Sequence, residues 1–271
     1  MIVRAPATSA NIGAAFDTAA VALDLWNELE LSDGEGVVVE GEGADELAAD
    51  ETNLAIRAYA LLADPAGKRF HFVNRIPLER GLGSSAAAIA LGLVAAAPGA
   101  SAEELLAAGL TLETHADNLA AALLGGLTLA WDGRIARIAD SLPLDAIAVI
   151  PKERTSTASS RGGLPTTVPH ADAAASAGRA ALLGAGAASG DATLFGAALR
   201  DWLHEPYRCS DVLDAIRTSL PPGCAGATLS GSGPTVIAWA SDGGACTADL
   251  QARVPDHRAV ALDVAPRGAL P

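Results

Sequence analysis

The 271-residue sequence predicts a mixed chain of strands and helices arranged as two lobes, and three observations carry that expectation. Half of the residues are hydrophobic, enough for two modest cores at this length. The first half holds a strand, a glycine loop and a strongly apolar helix in succession. The second half alternates helices and strands after a Ser-Leu-Pro turn at Ser141 to Asp145, which divides an N-terminal lobe, 1–143, from a C-terminal lobe, 144–271.

Taken in order, Ile2 to Ala5 alternates weakly and meets Pro6, and Phe16 to Leu31 carries aliphatics at mixed spacing, giving strand, loop and strand. Val37 to Glu40 is a short strand, Gly41 to Glu51 an acidic loop, and Asn53 to Ala63 has helical spacing. Arg69 to Ile76 alternates as a strand, and Gly81 to Ser85 opens the apolar helix Ala86 to Ala97. Another helix, Ala102 to Leu112, leads into the polar knot ETHADN and the apolar run LAAALLGGLTLAW. Ala146 to Ile150 is a strand, and Gly226 to Leu229 is a second that passes through Gly231-Ser-Gly-Pro and resumes as Thr235 to Trp239. No fixed-period repeat is visible.

Charge and composition exclude several classes. A formal net charge of -14 opposes nucleic-acid binding, which needs clustered Lys and Arg. Only two lysines, Lys68 and Lys152, are present, so a bound phosphate would rely on backbone N–H groups, hydroxyls, arginine or a metal ion. The three cysteines form no CxxC pair and suit a reducing cytoplasm. The N-terminus has no apolar signal core, and the longest apolar run, Ala86 to Pro98, is shorter than the roughly 20 residues of a membrane span.

Two segments carry the densest chemistry. Pro77 to Ala87, PLERGLGSSAA, places two glycines and two hydroxyls before a helix, where backbone N–H groups and the helix dipole favour an anion. It lacks the lysine of a Walker A loop and the following acidic strand of a Rossmann unit. Read alone, it is equally a glycine-serine helix cap. The knot Glu113 to Asn118 sets four functional side chains between apolar stretches; if helical, Glu113 and Asp117 share one face and His115 and Asn118 another. Its alternative is a helix start capped by Thr114 or Asp117.

Three further segments are open to two readings each. Asn11 and Asp17 project from a glycine-bearing loop, either a binding loop or an ordinary turn. The stretch Arg154 to Arg161 is an anion clamp or a solvated loop. Gly231-Ser-Gly-Pro is a tight turn or a backbone approach to ligand.

The order of these segments resembles the GHMP kinase superfamily: SAN with FD near the start, PxxxGLGSSAA, HxDN and GATLSGSGPT. Within it, ExHxDNxAxALLGG, STxxSR and HEPYR are similar to the homoserine kinase family, and the resemblance covers nearly the whole chain. It implies an α+β, two-domain fold, with an N-terminal ribosomal-protein-S5-domain-2-like domain and a C-terminal ferredoxin-like domain. It implies ATP-dependent phosphorylation of the L-homoserine side-chain hydroxyl in threonine biosynthesis. Its cofactor would be Mg²⁺, and members of the family are often homodimers.

By position, the resemblance assigns Pro77, Arg80, Gly81, Leu82, Gly83, Ser84, Ser85, Ala86 and Ala87 to the ATP phosphates, and Asn53 with Leu54 to the adenine. It assigns Ser85 and Glu113 to Mg²⁺, and Asn11, Asp17, His115, Asn118, Arg161 and Arg208 to homoserine. Glu113, Asp117, Asn118 and Arg161 form the implied catalytic set, with Asp117 either a base or structural. Other readings are a GHMP kinase for another alcohol, a related decarboxylase that phosphorylates first, and a non-catalytic binding protein on the same fold. The sequence departs from the family's NxGPGFD, reading Asn-Ile-Gly-Ala-Ala-Phe-Asp, and from His-Pro-Asp, reading His-Ala-Asp.

Overall fold

The computed structural model describes residues 1–113, 115–154 and 162–271. Its first sheet has the order β3-β4-β2-β5-β6, with β1 (Ile2–Ala10) also paired to β2 (Ala19–Asp33). Alongside these run β3 (Val37–Gly41), β4 (Lys68–Asn74), β5 (Leu127–Trp131) and β6 (Arg134–Ala139). Only the β3–β4 pair is parallel. Pro6 does not end β1, because the register shifts between Pro6 and Ala7 and the strand continues past the irregularity.

Four helices pack with this sheet: α1 (Leu54–Ala60), α2 (Ser84–Ala96), α3 (Ala102–Gly109) and α4 (Ala116–Leu124). Helix α2 is apolar nearly all round because it is enclosed nearly all round, with nine of its 13 residues buried among sheet and helices. No helix among the described residues is long and apolar enough to cross a membrane.

The second sheet, β10-β7-β9-β8, is wholly antiparallel and comprises β7 (Asp145–Ile150), β8 (Cys224–Leu229), β9 (Val236–Ala240) and β10 (Arg258–Leu262). Period-two alternation divides its strands between two cores. Ile147, Val149, Val236 and Ala238 face α7 (Asp211–Thr218) and α8 (Gly243–Arg253). Ala146, Ala148, Ile237 and Trp239 join the main core with residues of α5 (His170–Ser189) and α6 (Ala192–Ala197). After β10 the chain returns to the first sheet: Gly126 N–H donates to Ala265 O at 2.7 Å and Ala269 N–H to Ala122 O at 2.8 Å.

The two-domain α+β arrangement agrees with the fold implied by the sequence, with one local correction. Glu113 is not helical: α3 ends at Gly109, α4 begins at Ala116 with His115 as its N-cap, and Glu113 lies in the link between. The shared face for Glu113 and Asp117 therefore does not exist. Thr114, one of the two expected caps, lies outside the described residues.

Close packing of α1 on α2 depends on Gly92, where a Cβ would stand 2.0 Å from the Ala55 carbonyl oxygen. Substitution Gly92→Ala is expected to destabilise by about 2 kcal/mol or more through backbone overpacking, against a gain of about 1 kcal/mol in helix propensity. Denaturant unfolding followed by circular dichroism measures the net loss.

Candidate active site

A cavity of about 560 Å³ is built where three distant segments meet: the end of β1, the 79–83 loop, and the turn after β8. Thr8 N–H donates to Leu82 O at 3.0 Å, and Gly231 N–H donates to Ala10 O at 2.9 Å. Ser230 Oγ donates to Gly81 O at 2.6 Å and lies 2.9 Å from Ser9 Oγ. Gly81 has φ +75°, and a Cβ there would sit 2.3 Å from Ser230 O, so both conformation and proximity require glycine. Gly83 is the N-cap of α2 at φ +67°, and a Cβ there would meet Thr8 Oγ1 at 1.8 Å.

Gly81, Gly83, Ser84, Ser85 and Ala86 line the cavity, so the first turn of α2 presents amides, hydroxyls and the positive end of its dipole to it. Leu78 and Glu79 line it as well, while other members of the 77–87 segment have other tasks. Leu82 and Ala87 are buried in the core. Arg80 directs its guanidinium at main-chain carbonyls, donating to Pro151 O at 2.9 Å, Leu78 O at 2.7 Å and Lys152 O at 2.5 Å, and so fastens the loop to the chain beyond β7.

The opposite wall comes from the knot at the start of α4. Glu113, His115, Asp117 and Asn118 all line the cavity. Glu113 Oε1 is 2.6 Å from His115 Nδ1. Asp117, almost fully buried, accepts from Asn118 N–H at 2.7 Å, while Asn118 Oδ1 accepts from Thr8 Oγ1 at 2.7 Å. Thr8 thus fixes which end of the Asn118 amide faces the cavity, a role that no local pattern around Thr8 signals.

Asn11, Asp17 and Arg208 close the third side. Asn11 Nδ2 donates to Gly231 O at 3.0 Å and its Oδ1 accepts from Asp17 N–H at 2.8 Å, so this side chain shapes the loop that carries Asp17. Where the family pattern has Pro-Gly, Ala14 uses an N–H that proline lacks, donating to Ala198 O at 3.4 Å. Ala15 takes no positive φ, so no glycine is needed there. Arg208 Nη1 donates to the same Gly231 O at 2.9 Å. Arg161 lies outside the described residues. Arg154 lines the cavity and forms a two-point pair with Glu46, both bonds 2.6 Å, at its mouth.

A second cavity, of about 270 Å³, continues from the first and shares Glu46, Leu47, Leu78, Ser84 and Ser85 with it. Asn53, Leu54, Phe72 and Leu91 line it, a largely apolar slot of the kind that takes a flat ring. Asn53 also caps α1, its Oδ1 accepting from Ala55 N–H at 3.0 Å.

Against this geometry, the family models for the GHMP kinases N terminal domain and the GHMP kinases C terminal domain match residues 53–126 and 179–247. The fold and the glycine loop facing an acidic and amide-bearing wall define a GHMP-type small-molecule kinase. The homoserine kinase of Streptomyces coelicolor is 41% identical over 261 residues, 88% of this chain and 84% of that one. That of Streptomyces avermitilis is 40% identical over 273 residues, 93% and 88% of the two chains. A crystal structure of homoserine kinase from Cytophaga hutchinsonii superposes with a TM-score of 0.82 at 25% identity, covering 99% of this chain and 96% of that one. The chain belongs to the GHMP kinases and, within them, to the homoserine kinase family.

Beneath the site, His204 is wholly buried, and its pKa is lowered from 6.5 to about 3 by burial first and by the neighbouring Arg208 charge second. Burial also raises Asp201 and Glu205, against the main-chain amides that Asp201 accepts and the Arg217 charge beside Glu205. In unfolded chains a histidine takes up a proton below about pH 6.5, whereas folded His204 stays neutral to about pH 3. Its contribution to stability is therefore lost as pH falls through that window, by at most about 1.4 kcal/mol per pH unit. The raised carboxylates act with the opposite sign. Urea unfolding at pH 7 and 5.5 is expected to show a shallower fall for His204→Asn than for the wild type.

Proposed function

We propose that this chain transfers the γ-phosphoryl group of ATP to the side-chain hydroxyl of L-homoserine, giving O-phospho-L-homoserine. The observation that carries this reading is the joining, in one cavity, of a phosphate cradle at α2 with groups suited to an amino-acid zwitterion. In the reading, the amides and hydroxyls of Gly83 to Ser85 receive the phosphates and the apolar slot beside Asn53 receives the adenine. Asp17 faces the substrate ammonium and Arg208, with Arg161, its carboxylate. His115 and Asn118 orient the hydroxyl toward the γ-phosphorus, so that positioning supplies much of the rate.

The donor set also fits Mg²⁺. Ser85 and Glu113 both line the cavity, and no cluster of three or more His, Cys, Asp or Glu suited to a metal occurs among the described residues. Two protein oxygens suit an ion that takes its remaining ligands from water and phosphates. When bound, Mg²⁺ supplies neutralisation of the charge on the transferring phosphoryl group. Asp117, held against the Asn118 N–H, acts in this reading by fixing that asparagine rather than as a base, since a loose phosphoryl transfer needs no strong base.

Coupled ADP release with Mg·ATP and a panel of L-homoserine, L-serine, L-threonine, mevalonate and galactose tests the proposal. Homoserine-dependent turnover with O-phosphohomoserine identified by mass is expected; turnover only on another alcohol overturns the substrate assignment. Glu113→Ala is expected to lower kcat by about 100-fold or more, as loss of an electrostatic group does, and to raise the Mg²⁺ concentration needed for half-maximal rate. An unchanged Mg²⁺ dependence would remove Glu113 from the metal site. Asp117→Asn should keep turnover within about tenfold, short of the roughly 100-fold or more that loss of a general base costs.

A further inference from the structure

We infer that His204 is a positioning residue for substrate recognition, acting as the neutral acceptor that fixes the Arg208 guanidinium beside the Asp17 loop. The inference deepens the reading of Arg208 as the partner of the substrate carboxylate and rests on it. It concerns a residue that does not itself line the cavity: His204 is 0% exposed and stands one layer below.

Its surroundings leave the imidazole one useful state. Arg208 Nη1 approaches His204 Nδ1 at 3.0 Å, and a guanidinium N–H can only donate, so Nδ1 is unprotonated. The proton then sits on Nε2, which stands 3.9 Å from Asp201 Oδ2. The ring lies on Phe16, with centroids 5.1 Å apart and planes at 25°, and Arg208 Cζ stands 5.8 Å from the centroid of that same ring. Phe16 directly precedes Asp17. One imidazole therefore touches the loop bearing the candidate ammonium partner and the arginine that would face the carboxylate.

The imidazole is itself rigidly held. Asp201 Oδ2 accepts the N–H groups of Leu203, His204 and Glu205 at 2.8, 2.6 and 2.9 Å, so the backbone around His204 is fixed from within the protein. Two acceptors, His204 Nδ1 and Gly231 O, then engage the same Arg208 nitrogen and set its direction. Removing one leaves the guanidinium less well aimed while keeping its charge. Such a change weakens binding of the group it aims at, and leaves nucleotide contacts on the far wall alone.

Steady-state kinetics, homoserine calorimetry and thermal melting of His204→Leu and His204→Asn test this. Leu keeps bulk without an acceptor, and Asn restores an acceptor oxygen near the Nδ1 position. For His204→Leu the KM for homoserine should rise about tenfold or more, the effect of losing a bond to a charged group, with the KM for ATP little changed. His204→Asn should recover most of the loss. In an Arg208→Ala background, His204→Leu should add nothing further, whereas a merely structural role would add its own loss. If wild-type protein shows no homoserine binding, the substrate reading and this inference fall together. If it binds and His204→Leu binds equally well, only this inference falls. Should the Leu variant not fold, histidine 15N spectra of the wild type decide: an unprotonated Nδ1 on His204 supports the inference, and a protonated one overturns it.

Discussion

The carbonyl of Gly231 and the hydroxyl of Ser230 hold the site together. Gly231 O accepts from Asn11, 220 positions earlier, and from Arg208, while Ser230 Oγ reaches the 79–83 loop at Gly81. The turn after β8 thus sets the distance between the glycine loop before α2 and the loop that carries Asn11 and Asp17. Both of these loops belong to the first half of the chain, yet their common reference point is in the second. The Asn11, Arg208 and Ser230 side chains that make these bonds are buried, where an unmet polar group costs about 1–3 kcal/mol, so the three segments keep one arrangement.

At its glycine loop this acidic chain offers an anion helix amides and hydroxyls rather than lysine. Neither lysine lines the main cavity, and Arg80 is committed to main-chain carbonyls. Amides and hydroxyls of this kind attract an anion without adding a full positive charge. Arg154, which also lines this cavity, is paired with Glu46.

Most strands and the helices α1 to α3 were legible in the sequence because periodicity and glycine placement are local, whereas β6, β10 and the four helices of the second half were not placed. The glycine loop before α2 and the ETHADN knot were legible because each departs sharply from apolar flanks. What escaped was the break between α3 and α4: Gly109 ends one helix and His115 opens the next, so Glu113 reaches the cavity from a link rather than from a helical face. Thr8, Ser9 and Ser230 escaped for a different reason. Their importance lies wholly in partners far away in the chain, and a hydroxyl in a strand end carries no local mark. Arg80 illustrates the converse, since its place in a phosphate-loop pattern gave no sign of the three carbonyls that engage it. His204 was visible only as a letter in HEPYR, because burial and stacking on Phe16 are tertiary facts.

The return of residues 263–270 to the first sheet gives that segment a share in the chemistry at a distance. Gly268 lies against the Leu123 backbone and Gly125 against Arg267, so the segment is pressed on the C-terminal end of α4 with no room for a side chain at either glycine. The opposite end of α4 carries Asp117 and Asn118. Residues 263–270 are thus the backing against which the helix bearing Asp117 and Asn118 is set.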